Sequence, residues 1–164
     1  MELIEDQNEV ATESYLTFKL GEEHFCISVS SVAKILEMTE ITKVPESPDY
    51  MKGIINLRGN ILPVIDTRLK FKLEPKEYDL RTRILVLDIE SQNKVLTIGA
   101  VVDLAREVIA VNPDDILPPP SLEDYERADY IDGVINHNEA FIMIVNINKL
   151  FAKNELAIME SVED

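Results

Sequence analysis

Two stretches of the chain, Gly53 to Phe71 (GIINLRGNILPVIDTRLKF) and Gly133 to Phe151 (GVINHNEAFIMIVNINKLF), align without a gap at a distance of eighty positions. They share Gly53/Gly133, Ile55/Ile135, Asn56/Asn136 and Phe71/Phe151. Self-similarity of this kind marks a supersecondary unit built twice. In the first copy Ile54-Ile55-Asn56-Leu57 is apolar, Arg58-Gly59-Asn60 breaks the run, and Ile61 to Ile65 resumes it before Asp66 opens a polar stretch. The pattern predicts a strand, a tight turn, a second strand and a capped helical turn. Pro63 lacks a backbone donor, so its strand is expected at a sheet edge or with a bulge there. Asp66 becomes Asn146 in the second copy, another good helix cap. A second match precedes each copy: Val29 to Lys34 resembles Val101 to Arg106, and the change of offset fits a longer loop around Pro118-Pro119-Pro120. The chain therefore reads as two similar all-β units.

Composition bears on what such a chain can do. The 164 residues are enough to bury roughly two-thirds of the unfolded surface, so a core forms without disulfides or metals. Cys26 is the only cysteine, which removes an internal disulfide and a cysteine-based zinc site. A formal charge of −15, with the densest basic stretch from Arg68 to Lys76 diluted by Glu74, argues against nucleic acid and anionic lipid as partners. No run approaches the ~20 apolar residues of a membrane span, and MELIEDQNEV lacks a secretory pattern, so a cytoplasmic location without direct membrane insertion is expected.

Along the chain, residues 1–13 are acidic and aperiodic and are expected to form a flexible tail. Alternation from Tyr15 to Leu20, the turn Gly21-Glu22-Glu23, and alternation through Phe25, Ile27 and Val29 predict a hairpin, with Cys26 a packing residue on the opposite face. Val32, Ile35 and Leu36 stand at i, i+3 and i+4 and predict a short helix starting at Ser30 or Ser31. Arg83 to Ile89 reads as a strand buried on both faces, Val95 to Val102 as the next strand with Gly99 at a bulge or close approach, and Val108 to Val111 as another. Asn112-Pro113 starts a one-turn helix, Leu122 to Asp132 reads as a solvated acidic loop, and Leu150, Phe151, Leu156 and Met159 predict a C-terminal helix across one barrel.

The chain carries no glycine-rich phosphate loop, no Cys/His cluster and no GxSxG elbow, and its two histidines, His24 and His137, sit beside predicted turns. No catalytic residue, metal site or cofactor is assigned. A binding module is favoured over an enzyme; a hydrolase using dispersed carboxylates is the remaining enzymatic alternative.

From about Tyr15 to Met159 the sequence resembles the CheW family of chemotaxis coupling proteins. The resemblance rests on YLTFKLGEEHFCISVSSVAKILEM, GIINLRGNILPVIDTRLKF, VVDLAREVIAV with DDILPPP, and GVINHNEAFIMIVNINKL, with Asn56-Leu57-Arg58-Gly59, Pro63, Asp66 and Arg68 its most specific part. It implies two packed five-stranded SH3-like barrels with short helices. Residues 14–152 are then one domain of two interleaved barrels, and residues 153–164 a C-terminal helix and tail. It also implies an adaptor linking the cytoplasmic tip of methyl-accepting chemoreceptors to the regulatory domain of the histidine kinase CheA, recruited to receptor arrays. A related adaptor of a twitching or developmental pathway is the alternative. Carried onto this chain, the receptor face comprises Val32, Ile35, Glu37, Asn56, Leu57, Arg58 and Gly59, with Arg58 expected to pair with Glu37. Plain core packing is the alternative role for Val32 and Ile35. Leu57-Arg58-Gly59 becomes His137-Asn138-Glu139 in the second copy, so only the first hairpin presents an arginine.

Overall fold

The computed structural model describes residues 11–91, 93–119 and 129–163. Its strands are β1 (Glu13–Leu20), β2 (Glu23–Ser28), β3 (Val32–Glu37), β4 (Met51–Leu57), β5 (Asn60–Asp66), β6 (Arg83–Ser91), β7 (Lys94–Val102), β8 (Leu104–Val111), β9 (Ile131–His137) and β10 (Ala140–Val145), and its α-helices are α1 (Thr67–Lys70) and α2 (Lys153–Glu163). They form two five-stranded sheets, ordered β8-β1-β2-β10-β9 and β3-β6-β7-β5-β4. The all-β reading with short helices holds. Residues 1–10 of the expected tail, Pro120 and most of the acidic loop lie outside the described residues.

The repeats and the sheets do not coincide. Strands β1–β5 and β6–β10 are the two copies, yet β1 and β2 pair with β8 and β10 of the second copy, and β6 and β7 pair with β3 and β5 of the first. Each copy lends its leading hairpin to the other. The equivalence extends to strand direction, since β5 meets β7 in parallel with Val64 opposite Gly99, and β10 meets β2 in parallel with Ile144 opposite Cys26.

This exchange explains why the central strands read as continuous apolar runs. Leu16, Phe18, Leu20, Phe25 and Ile27 of one sheet meet Leu85, Leu87, Ile89, Leu96, Ile98 and Val102 of the other in the largest core, which lies between the barrels. The alternate residues face inward: Tyr15 and Cys26 join Ile135, Ile142 and Ile144 inside one barrel, and Ile84, Val86 and Val101 join Ile55, Leu62 and Val64 inside the other. With both faces buried, period-2 polarity disappears from β6 and β7. Cys26 packs as expected, and burial pushes its thiol up to about 12, which leaves it inert at neutral pH.

Each barrel is closed by one backbone bridge. Thr42 exchanges hydrogen bonds of 2.9 and 2.8 Å with Ile54, and Leu117 exchanges bonds of 2.8 and 3.0 Å with Val134. The shared glycine beside each bridge is where the two backbones come closest. A Cβ on Gly53 would lie 2.0 Å from the Thr42 carbonyl oxygen, and one on Gly133 would lie 2.8 Å from that of Leu117. Gly99 is likewise a close approach, with Ile84 Cγ2 2.8 Å from where its Cβ would be.

Two expectations are corrected. The helix over Val32, Ile35 and Leu36 is strand β3, preceded by a 3-10 turn at Val29–Ser31. A bulge between Val32 and Lys34 puts Val32 opposite Leu87 and Ile35 opposite Leu85, so i and i+3 share a sheet face and imitate helical spacing. β5, which carries Pro63, is interior rather than an edge. Pro63 lies opposite Ile54, whose own N–H and C=O serve Thr42, and pairing with β7 begins only at Val64, so no ladder bond needs the missing donor.

The helix caps are as expected: Asp66 accepts from the amides of Arg68 and Leu69, and Asn146 from that of Asn148. Beside Asp66, the buried Thr67 hydroxyl has no hydrogen-bond partner among the described residues, whereas its repeat equivalent is the buried Ile147. Thr67→Val should therefore raise stability by about 1 kcal/mol in urea unfolding. Gly53→Ala should lower it by more than about 3 kcal/mol, because the clash is with backbone. Gly59→Ala, with open space but a φ of +87°, should cost only about 1 kcal/mol.

Candidate protein-docking site

Strand β3 is the edge of its sheet, and its bulge aims Val32 and Ile35 at the layer between the barrels. Val32 is half-buried against the inter-barrel core. Ile35 is 44% exposed, an isoleucine on the open rim of an apolar layer. The 3-10 turn that starts this rim adds exposed Val29.

The β4–β5 hairpin supplies the second part. Leu57 pairs with Asn60 across a two-residue turn in which Arg58 and Gly59 have φ of +52° and +87°, the class that follows strand twist. Asn56 Oδ1 accepts from the Gly59 amide at 2.8 Å and holds the tip. Arg58 and Gly59 are exposed, while Leu57 is half-buried with Leu36, Met38 and Ile41 in the end of the barrel. The second hairpin has the same geometry, with Asn138 and Glu139 at +52° and +66°. Backbone strain is therefore common to both tips, and it is the guanidinium that distinguishes the first.

The expected Glu37–Arg58 ion pair is absent among the described residues. Glu37 ends β3 opposite Arg83, whose guanidinium donates instead to the carbonyls of Leu80 and Thr82. The pairing is carried over from the family resemblance, and in this chain Glu37 lies at the end of an edge strand beside Arg83 instead. Glu37 and Arg58 are both exposed, and both charges face solvent. Of the seven site residues, Val32 and Ile35 share one face, Asn56, Arg58 and Gly59 form the tip, Leu57 serves the barrel core, and Glu37 stands apart at the end of β3.

Sequence reasoning missed the groups that fix the barrels against each other. Arg68 Nε lies 2.8 and 3.0 Å from the two Asp103 oxygens and its Nη2 lies 2.6 Å from Oδ2, while its Nη1 donates to the Glu74 carbonyl. Asp103 Oδ2 also accepts from the Gly21 amide at 2.7 Å. One carboxylate thus ties the β1–β2 turn, the β7–β8 crossing and the chain after β5. Burial pushes the Asp103 carboxyl up, but the bonds from Arg68 and Gly21 outweigh it and hold the group below the ordinary carboxylate range. Helix α2 docks similarly. Leu156 and Met159 enter the inter-barrel core, and Glu155 accepts from Lys70 at 2.8 Å, from the Tyr50 hydroxyl and from the Ala152 amide. The helix thus packs on β5 and into the shared layer rather than across one barrel alone. Burial raises the Glu155 carboxyl, and the Ala152, Lys70 and Tyr50 bonds bring it below its usual value. Tyr50 packs on Phe151 and Tyr130 stacks on Phe71, centroids 6.2 and 5.0 Å apart. These are reciprocal contacts between copies, and the shared Asp-Tyr at 49–50 and 129–130 was their signal in the sequence.

Among the described residues no group of three or more His, Cys, Asp or Glu is arranged to hold a metal, and no helix is long and apolar enough to cross a membrane. The fold and this site define a two-barrel β module whose outward-facing groups suit contact with another protein. The model of the CheW-like domain matches residues 14–155. The chain is 32% identical over 151 residues to the chemotaxis protein CheW of Helicobacter pylori, covering 92% of this chain and 87% of that one. It is 31% identical over 154 residues to CheW of Klebsiella aerogenes, with 94% and 90% covered, and 27% identical to protein FrzA of Myxococcus xanthus, with 84% of each covered. The crystal structure of the scaffolding protein TtCheW from Thermoanaerobacter tengcongensis superposes with a TM-score of 0.78 at 29% identity, covering 90% of this chain and 93% of that one. The chain belongs to the CheW-like family.

Because the folded state lowers the carboxyl pKa of Asp103 and Glu155, their stabilisation is fully present above the unfolded values of about 4 and is lost as pH falls through the folded ones. Asp103→Asn should cost about 3 kcal/mol at pH 7, since it leaves a largely buried guanidinium half-satisfied. That difference should shrink steadily below about pH 4 in urea titrations of variant and parent.

Proposed function

We propose that this protein is a chemotaxis signal-transduction adaptor, coupling the cytoplasmic tip of methyl-accepting chemoreceptors to the regulatory domain of the histidine kinase CheA. It acts as a scaffold recruited from the cytoplasm to receptor arrays, and performs no chemistry itself. The observation that carries the reading is family membership over nearly the whole chain, supported by CheW relatives at about 30% identity. The β3 rim and the Arg58 tip are the proposed receptor face. A receptor tip is a helical hairpin, and a helix docks through apolar residues at i, i+3 and i+4 into an apolar rim, here Val32 and Ile35. Arg58 can then hold a receptor carboxylate in a two-bond fork, and Gly59 lets the partner's backbone come close. Glu37 and Asn56 are the polar margin of the same face, and Leu57 supports it from within. The alternative, an adaptor of a non-flagellar chemosensory pathway, uses the same surfaces and is consistent with the similarity to FrzA.

The test is phosphoryl flux through a chemotaxis-type kinase reconstituted with receptor-bearing membranes. Adding the protein should produce a large receptor-dependent change in flux. Arg58→Asn should abolish most of that change while leaving urea stability within about 0.5 kcal/mol, because asparagine tolerates positive φ at least as well as arginine. Ile35→Ala should weaken coupling at a stability cost below about 1 kcal/mol, since the side chain is half exposed. No flux change, with receptor and kinase competent beside their own adaptor, would reject the proposed pathway.

A further inference from the structure

The chain passes between the barrels at two points that the repeat makes equivalent, and the two are chemically unequal. From β7 to β8 it crosses at Asp103, which is half-buried, clamped by Arg68, bonded to the Gly21 amide, and donates its own amide to the Lys19 carbonyl at 3.2 Å. From β2 to β3 it crosses through Val29–Ser31, where Val29 and Ser30 are exposed. The bonds there run through one serine hydroxyl: Ser28 Oγ accepts from the Ser30 amide at 3.3 Å and donates to the Glu13 carboxylate at 2.9 Å, an exposed bond. The repeat equivalents of Asp103 and Arg68 are Ser31 and Asn148. Among the described residues the Asn148 side chain makes one bond, accepting from the Glu90 amide at 2.9 Å. A largely buried ionic clamp with three anchored elements thus faces an exposed crossing held by serine hydroxyl hydrogen bonds.

We infer that the two barrels open about the Arg68–Asp103 clamp and part at the Val29–Ser31 crossing, so that Arg68 and Asp103 are positioning residues for the rim that carries Val32 and Ile35. β3 follows directly from the loosely held crossing, and opening there widens the apolar layer where a partner helix would enter. β8, the equivalent strand, follows directly from the clamped one and stays closed. This rests on the receptor face proposed above, but its test needs no receptor, so it can fail while the coupling assay succeeds, and the reverse.

The experiment is native-state hydrogen exchange of the full chain, read by mass spectrometry on peptides covering residues 29–36 and 101–108. In the parent protein the β3 amides should exchange at least tenfold faster than those of β8. Asp103→Asn should remove most of that difference by accelerating residues 101–108 selectively. Ser31→Asp combined with Asn148→Arg, which builds a second clamp, should slow residues 29–36. Equal protection of the two strands in the parent would overturn the inference, as would an Asp103→Asn effect that accelerates every peptide by the same factor. The parent measurement stands even if a variant fails to fold.

Discussion

Asp103 is the whole connection between β7 and β8. A single residue cannot reverse a strand into its own sheet, because even the tightest hairpin needs two. β8 must therefore leave for the other barrel, and β3 leaves β2 through the three-residue turn Val29–Ser31 in the equivalent place. Everything else follows from those two departures. Neither copy of the repeat can complete a barrel with its own strands, so each is finished by the leading hairpin of the other. The inter-barrel core is then an obligatory part of both, not a contact between two finished domains.

That arrangement separates the roles of the strands. β1, β2, β6 and β7 are covered on both faces and build the rigid centre, with Phe18 stacked on Phe25 and Phe25 on Phe71. β3 has a strand neighbour on one side only, and its bulge leaves Ile35 on the rim. The hairpin tip at Arg58 is braced by Asn56 and projects from the same barrel. An apolar rim and a braced cation carried on regular strands are what a signalling adaptor needs, since a partner is then held without ordering a loop first.

The duplication makes the differences between copies informative. Arg58 is answered by Asn138, the Arg68–Asp103 clamp by Asn148 and Ser31, and the buried Thr67 by Ile147. Where the copies agree, at Gly53 and Gly133 or at Tyr50 and Tyr130, the reason is barrel closure or the reciprocal aromatic contacts. Where they differ, the change is a charge at Arg58 and at the Arg68–Asp103 clamp, and a buried hydroxyl at Thr67.

Much of this was legible in the string. The repeat, its strand-turn-strand units, the Asp66 and Asn146 caps, the doubly buried β6 and the packing role of Cys26 all depend on neighbours within a few residues, so periodicity and turn chemistry expose them. The bulge in β3 was not, because one extra residue in a strand shifts its faces into a spacing that a helix also produces, and only the ladder to β6 tells them apart. The Glu37–Arg58 pairing, carried over from the family resemblance, failed because a match of residue types does not fix how two exposed side chains are oriented. The exchange of hairpins and the Arg68–Asp103–Gly21 clamp join positions far apart in the chain, and no local pattern encodes such a meeting. Local patterns specify which pieces exist; which barrel each piece completes is settled by the one-residue crossing at Asp103, too short for a hairpin turn, and by the apolar layer that closes over both crossings.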